Sequence, residues 1–386
     1  MYLIGNEVRI TNLFLVNNRM RIFYIANIRF PTERAHGIQV AKMCEAFAQE
    51  GAHVTLLVPN RVTLDEDPFV YYGVEGNFSI EKISVPDLVG WGTLGFLIES
   101  FVFAWRATSF YKKGTDALIY TREELPLFFL PRFCAFYEAH QLRRSLVFRL
   151  LLRRARGVVA ITEGLKRALV AQGLASKRIR VAHDGYDEKS FVGEVSREEA
   201  RKGLGLPLHT KMAMYIGGLE EWKGAHILCE AAGLLSKEDI GIAVIGGKAD
   251  ELLKWKGNYP AVTFLGSRPY RELPTHQQAA DILVIPNLAS EQSSREFTSP
   301  LKLFAHMASG IPIVASAISA LKEVLDEKTA TFSEPDDAQS LAKAISDTFK
   351  HYSEACQKAL RGKEQVKRYT WSVRARLVLD FISSVY

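Results

Sequence analysis

The sequence predicts an α/β fold of two doubly wound parallel-sheet units that face each other across a cleft. A chain of 386 residues exceeds one ordinary core and suits two domains of about 100 to 200 residues each. Short apolar runs alternate with helical segments, and the series occurs twice, which is the mark of parallel α/β layers. The polar stretch Asp184–Ser196 separates the two series.

In the first series Arg21–Ala26 reads as a strand, Gly37–Glu50 as an amphipathic helix and His53–Val58 as the next strand. Strands follow at Ser79–Val85, Ala117–Tyr120, Ala135–Glu138 and Gly157–Ile161, with helices near 94–112 and 141–155. In the second, a strand at Met212–Ile216 runs through Gly217-Gly218 toward a helix from Ala225 to Ser236. Further strands are Ile240–Ile245, Val262–Leu265, Ile282–Ile285 and Ile313–Ala315; helices are Tyr270–Gln278, Pro300–Ala308, Ala320–Leu325 and Asp337–Lys350. The last segment, Tyr369–Tyr386, places Val373, Leu377, Val378 and Phe381 at helical spacing and is expected to pack back on the first domain. The expected division is an extension at 1–19, a first domain at 20–190, a second at 191–368 and a closing helix at 369–386.

With 48% hydrophobic and 24% charged residues, the chain is globular rather than disordered or fibrous. Cys44, Cys134, Cys229 and Cys356 lie far apart, with neither zinc-ligand spacing nor disulfide density, so a reducing compartment is expected. No stretch of about 18 residues is apolar enough to span a bilayer, and the opening segment is too polar to be a secretory signal. The chain is read as cytoplasmic. Residues 1–190 hold 25 Lys and Arg against 19 Asp and Glu, whereas 191–386 hold 24 of each, so the net charge of +6 resides in the first half and concerns a partner of that half.

No strand leads into GxxxxGK[ST] or GxGxxG, and neither HExxH nor GxSxG occurs, which disfavours P-loop enzymes, dinucleotide dehydrogenases and familiar hydrolases. Ligands of open α/β sheets bind beyond the carboxyl ends of the strands, which directs attention to strand-to-helix loops. The first strand enters a loop that carries Arg34, His36 and Gly37 into a helix start; it reads either as an anion seat or as a plain turn. After Tyr215-Ile216, the glycines Gly217 and Gly218 let a ligand approach backbone, and Lys223 just before the next helix supplies a mobile charge suited to a diphosphate, or is simply a solvated lysine. In Thr298-Ser299-Pro300-Leu301-Lys302, Ser299 has the chemistry of a helix N-cap and Pro300 that of a first helical residue, so the amides that follow would face the cleft.

Together these segments resemble the retaining GT-B glycosyltransferases of family 4, in particular a subgroup with an SPLKLF helix. The likeness runs from Met20 to Phe381 through Tyr137-Glu138-Ala139-His140, Val158–Lys166, His183-Asp184-Gly185-Tyr186-Asp187, Gly217 to Gly224, Val262–Gly266, Ala280–Pro286 and Ser299 to Pro312. The resemblance implies two Rossmann-like domains, a nucleotide-sugar donor held mainly by the second, a saccharide acceptor held mainly by the first, and transfer with retention and without metal or other cofactor. It assigns catalytic roles to His140 and Lys223, with Glu296 as substitute carboxylate. Donor contacts fall on Gly37, Gly217, Gly218, Lys223, Thr298, Ser299, Pro300, Leu301 and His306, and acceptor contacts on Arg34 and His36. The paired glutamates of the family fall on Phe297 and Ala305, and the arginine that often precedes the lysine falls on Gly218.

Segment 141–156 sets six arginines among apolar residues, and the apolar helix near 94–112 adjoins it in this reading. The pair reads either as a face for an anionic membrane, with a lipid-linked acceptor at the inner side of the cell membrane, or as a domain helix with solvated arginines. No nucleic-acid module is recognised, so nucleic acid is not an expected partner. The activity expected is hexosyl transfer in surface-polysaccharide assembly; the rivals are a GT-B-fold binding or scaffold protein without turnover and a nucleotide-sugar epimerase.

Overall fold

The computed structural model describes residues 20–61, 64–111, 117–191 and 195–385; the extension expected at 1–19 lies outside them. Its architecture is two parallel sheets with helices on both faces. The first sheet contains β1 (Arg21–Ile25), β2 (His53–Pro59), β3 (Ser79–Ile83), β4 (Ala117–Thr121), β5 (Ala135–Ala139), β6 (Gly157–Ala160) and β7 (Ile179–Val181), in the order β3-β2-β1-β4-β5-β6-β7. The second contains β8 (Lys211–Ile216), β9 (Ile240–Ile245), β10 (Val262–Gly266), β11 (Ile282–Ile285), β12 (Ile313–Ser316) and β13 (Thr331–Ser333), in the order β10-β9-β8-β11-β12-β13.

The central strands β4, β5 and β6 are buried at every residue, which is why, Glu138 of β5 apart, their sequences read as nearly continuous apolar runs rather than alternating ones. Strand order reverses beside β1 and beside β8, and the crevices at these two points are where such sheets take ligands.

The chain leaves the first domain near Tyr186 and returns there, because Tyr186 bridges to Thr370. Thr370 caps the last helix, Trp371–Ser384, its Oγ1 accepting from Val373 N at 3.2 Å. That helix buries Trp371, Ala375, Val378, Phe381 and Ile382 in one cluster with Ile22, Val40, Phe47 and Tyr120 of the first domain. The domains are also stitched directly. Thr162 Oγ1 donates to Glu296 O at 2.9 Å, Asp184 N donates to Ser299 Oγ at 2.9 Å, and the Glu323 carboxylate accepts from Glu163 N and Gly164 N at 2.8 and 2.9 Å. Phe297 is buried in an apolar cluster of the first domain that includes Ile161 and Leu165.

Two expectations are corrected. The helix expected at 141–155 is confined to Leu146–Leu152, started by Ser145, whose Oγ accepts from Phe148 N at 3.1 Å. Its arginines therefore do not share one helical face: Arg154 donates to the carbonyls of Leu127 and Leu130, both at 2.7 Å, and Arg156 to Val385 O at 2.9 Å, tying loops together. The later helix begins at Leu301, with Pro300 extended in the cap position, so Ser299 is not the cap. Its hydroxyl is committed to Asp184 N instead.

Candidate active site

The second-domain wall is built on the end of β8. Gly246, at φ 138°, packs so closely that a Cβ there would lie 1.8 Å from Gly217 O, so the turns after β8 and β9 meet backbone to backbone. Tyr215 Oη closes the first turn by donating to Gly218 O at 2.6 Å. A side chain at Gly218 would collide with the Glu220 carboxylate and the Lys223 ammonium. Lys223 Nζ is 2.8 Å from Glu220 Oε2 and 5.3 Å from the centre of the Trp222 ring, which folds the cation over the glycine turn.

Lys302, on the helix Leu301–Ser309, reaches the same turn. Its Nζ is buried, has no hydrogen-bond partner among the described residues and lies 4.2 Å from the centre of the Tyr215 ring. Burial, and then repulsion from Lys223, push its pKa well below the usual lysine range, with Glu220 as a partial offset. Sequence reasoning did not single this residue out; the available signal was one lysine in the apolar first half of the helix, Leu301 to Ala305. His306, by contrast, is wholly buried, its Nδ1 2.7 Å from Gln277 Nε2. Burial, with the nearby Lys302 charge, pushes its pKa down to about 3. Ala305 is buried as well.

The first-domain wall gathers groups from the ends of β1, β4, β5 and β7. Glu138, fully buried, accepts from Tyr120 Oη, from Gln39 Nε2 at 2.5 Å and from His140 Nε2 at 2.6 Å, and lies 3.2 Å from Arg374 Nη2. Burial would raise its pKa, but Arg374 and then His140 outweigh it and hold the carboxylate well below its ordinary range. Burial, then Arg122, push His140 down to about 4, against the pull of Glu138. An ionised Glu138 only accepts, so His140 carries its proton on Nε2 and presents Nδ1 as a lone pair.

Arg122 spans this wall, its Nη1 donating to Gln39 Oε1 and to His36 O at 3.4 Å. Burial, Arg122 and Arg34 push His36 down to about 4. Asp184 is pushed up to about 6 by burial, against Arg374 and with Glu138. Gly37 has its own reason to be glycine: a Cβ there would lie 2.2 Å from Tyr72 Oη and 2.6 Å from Thr32 Cγ2. Arg122, Asp184 and Arg374 had no assigned role in the sequence reading, because Arg374 approaches Glu138 across 236 residues.

Glu296 is placed differently from His140. Its carboxylate pairs with Arg295 at 2.9 Å and borders a cavity of about 550 Å³ between the domains, whose wall also carries Arg144, Arg149 and Arg167. Thr298 is extended, between the helix Gln292–Phe297 and Ser299. Among the described residues, no group of three or more His, Cys, Asp or Glu is arranged to hold a metal ion.

Residues 210–351 match the family described as Glycosyl transferases group 1. The chain is 28% identical over 247 residues to a D-inositol 3-phosphate glycosyltransferase of Corynebacterium urealyticum, a match covering 59% of this chain and 57% of that one. It is 28% identical over 182 residues to the amylovoran biosynthesis glycosyltransferase AmsK of Erwinia amylovora, covering 45% and 42%. The chain thus spans about half the length of the curated relatives it matches. Among solved structures it superposes on Anabaena HepE, crystallised with UDP and glucose, with a TM-score of 0.73 at 16% identity over 95% of this chain and 100% of that one. It also superposes on WaaG, a glycosyltransferase involved in lipopolysaccharide biosynthesis, with a TM-score of 0.67 at 13% identity over 94% and 99%. The chain therefore has the GT-B fold, and its residues 210–351 are similar to the Glycosyl transferases group 1 family.

Proposed function

We propose that this protein is a glycosyltransferase that takes a sugar from a nucleoside-diphosphate donor seated on the second domain and passes it, with retention and without a metal, to a saccharide acceptor at the first. One observation carries the reading: two lysines, Lys223 and Lys302, converge on the glycine turn after β8, and the buried ammonium of Lys302 has no hydrogen-bond partner among the described residues. A buried cation without a counter-ion is costly. A diphosphate supplies the missing charge, and its binding would raise the Lys302 pKa. Superposition on a structure crystallised with UDP and glucose supports a nucleotide-sugar donor.

Departure of a nucleoside diphosphate builds negative charge on its terminal oxygens. Both ammonium groups and the amides opening the helix at Leu301 would oppose that charge more strongly in the transition state than before it. The lone pair of His140 Nδ1 suits a sugar hydroxyl. Neither Phe297 nor Ala305 offers a carboxylate, so ribose recognition falls to other groups, and the diphosphate itself is the base available for the acceptor proton.

Membrane association is part of the reading. The helix Gly92–Thr108 buries Gly95, Glu99, Ser100 and Phe103 and exposes Leu94, Leu97, Phe101 and Trp105. The apolar stripe thus faces outward, the reverse of a surface helix on a water-soluble domain. Leu146, Val147 and Leu150 are exposed as well, with the exposed Arg144 shortly before them in the chain, and supply a second apolar and basic surface. Such a surface suits an anionic bilayer, as would serve a lipid-linked acceptor in surface-glycan assembly at the inner face of the cell membrane. No helix among the described residues is long and apolar enough to cross a membrane.

Assay of the purified chain with UDP- and GDP-sugars tests the proposal. Transfer or donor hydrolysis that disappears in Lys223→Ala is expected. Nucleotide binding with no turnover toward any donor and acceptor would favour a binding protein, and interconversion of the free nucleotide sugar an epimerase.

A further inference from the structure

The cavity between the domains carries charge that the donor site does not use. Its wall is contributed by the loop after β5, the short helix Leu146–Leu152, the helix Glu163–Ala171 and, from the second domain, Gln292 and Glu296. Three arginines line it: Arg144, Arg149 and Arg167. Arg144 Nη2 donates to Gln292 Oε1 at 2.9 Å. Among the described residues neither Arg149 nor Arg167 is ion-paired, and the buried Nε of Arg149 has no hydrogen-bond partner. The carboxylate on this wall, Glu296, is offset by Arg295 at 2.9 Å and receives Gln292 Nε2 at 3.4 Å. The wall is therefore net positive, with an orphaned buried donor, and about 550 Å³ is within the range of small-ligand sites.

Arginine matches phosphate oxygens through its planar fork of donors. The helix Leu146–Leu152, which supplies Arg149 to the cavity, turns Leu146, Val147 and Leu150 outward to solvent. Arg149 is three residues from Leu146 and so neighbours it on the helix surface, which places an anion in the cavity beside the apolar surface.

We propose that this cavity is the phosphate seat of the acceptor, holding the phosphate or diphosphate group of a phosphorylated saccharide, free or lipid-linked, whose sugar reaches the cleft. The proposal rests on the transferase reading, which it deepens by naming the acceptor class. Arg149 and Arg167 grip the anion, Arg144 closes over it, and Gln292 and Glu296 bring the second domain into contact with it.

Inorganic pyrophosphate is the probe, with hydrogen exchange of the full chain as readout, applied to wild type, Lys223→Ala and the pair Arg149→Gln/Arg167→Gln. Anion-dependent protection of segments 144–152 and 163–172 is expected in wild type and Lys223→Ala. In the arginine pair the affinity read there should fall by about a hundred-fold, near ten-fold per charged contact removed, with an unchanged melting temperature in the absence of anion. Protection confined to 215–224 and 299–305 would overturn this proposal and leave the transferase reading standing; no protection at either place overturns it too, while turnover of a nucleotide sugar still decides that reading. Vesicles of anionic phospholipid that protect 144–152 where pyrophosphate does not would also overturn it, making the arginines part of a membrane surface. If pyrophosphate does protect, comparing a sugar phosphate with its polyprenyl-diphosphate-linked counterpart as acceptors separates the free source from the lipid-linked one.

Discussion

Arg374 on the last helix lies 3.2 Å from Glu138 at the end of β5, so the final segment of the chain neutralises a carboxylate buried in the middle of the first sheet. Arg374 is itself 3% exposed and donates through Nε to His183 O at 2.9 Å. Removing one member of such a pair leaves an unpaired buried charge, which costs about 3–5 kcal/mol. Arg374→Met should therefore lower the unfolding free energy by about that amount in urea titrations. The double variant Arg374→Met/Glu138→Gln should recover part of the loss, and strict additivity of the two single losses would contradict the coupling.

Lys302 should behave in the opposite sense. With no ligand its buried ammonium is a liability, so Lys302→Met should leave the unliganded protein as stable as wild type or more stable. Its affinity for UDP or GDP, read by calorimetry, should fall by at least about ten-fold, corresponding to about 1.4 kcal/mol. A stability loss with unchanged nucleotide affinity would place Lys302 in the fold rather than the site.

Acid should weaken the protein through its buried histidines. A histidine with a depressed folded pKa contributes stability that is complete above its unfolded value of about 6.5 and is lost as pH falls toward the folded value. For His306 that window runs from about 6.5 down to about 3, so by pH 5 the loss is about 2 kcal/mol. His306→Gln should flatten this part of the stability profile. Asp184 acts oppositely: pushed up to about 6, it favours the folded state at low pH and loses that contribution as pH rises from about 4 through 6. Asp184→Asn should therefore steepen the net acid loss between pH 6 and 4.

The outward stripe on the helix Gly92–Thr108 is testable without reference to catalysis. Leu94→Gln and Leu97→Gln remove apolar area that is mostly exposed, 69% and 54%, so melting should shift little, within about 0.5 kcal/mol. Flotation with anionic vesicles should fall sharply. Wild-type protein that fails to float at low salt would refute the membrane reading.

Both sheets were legible in the sequence because their central strands are apolar runs bounded by glycine or polar turns, as at Met212–Ile216 and Ile282–Ile285. The edge strands β7 and β13, each three residues long, are too short for periodicity to show, and Arg180 breaks the first. The helices Arg197–Leu204 and Tyr352–Gln365 escaped because their sequences are mostly polar, with few buried residues. Lys223 and the glycine turn were legible because a local turn encodes them. Arg122, Asp184 and Arg374 converge only after folding, and the commitment of Ser299 to Asp184 rather than to its own helix was hidden for the same reason.

Glu323, carried by the second domain, caps the amides that open the helix Glu163–Ala171 of the first, and Phe297 is lodged in the apolar cluster beside that helix. A hinge motion confined to the linker would strip the cap and draw a phenyl ring into water, at a cost of about 2 kcal/mol or more for the ring alone. Leu165 and Leu169 of the same helix are themselves fully buried in that cluster, so the helix does not follow the second domain without exposing both, and the two domains part only by giving up the cap and the ring together.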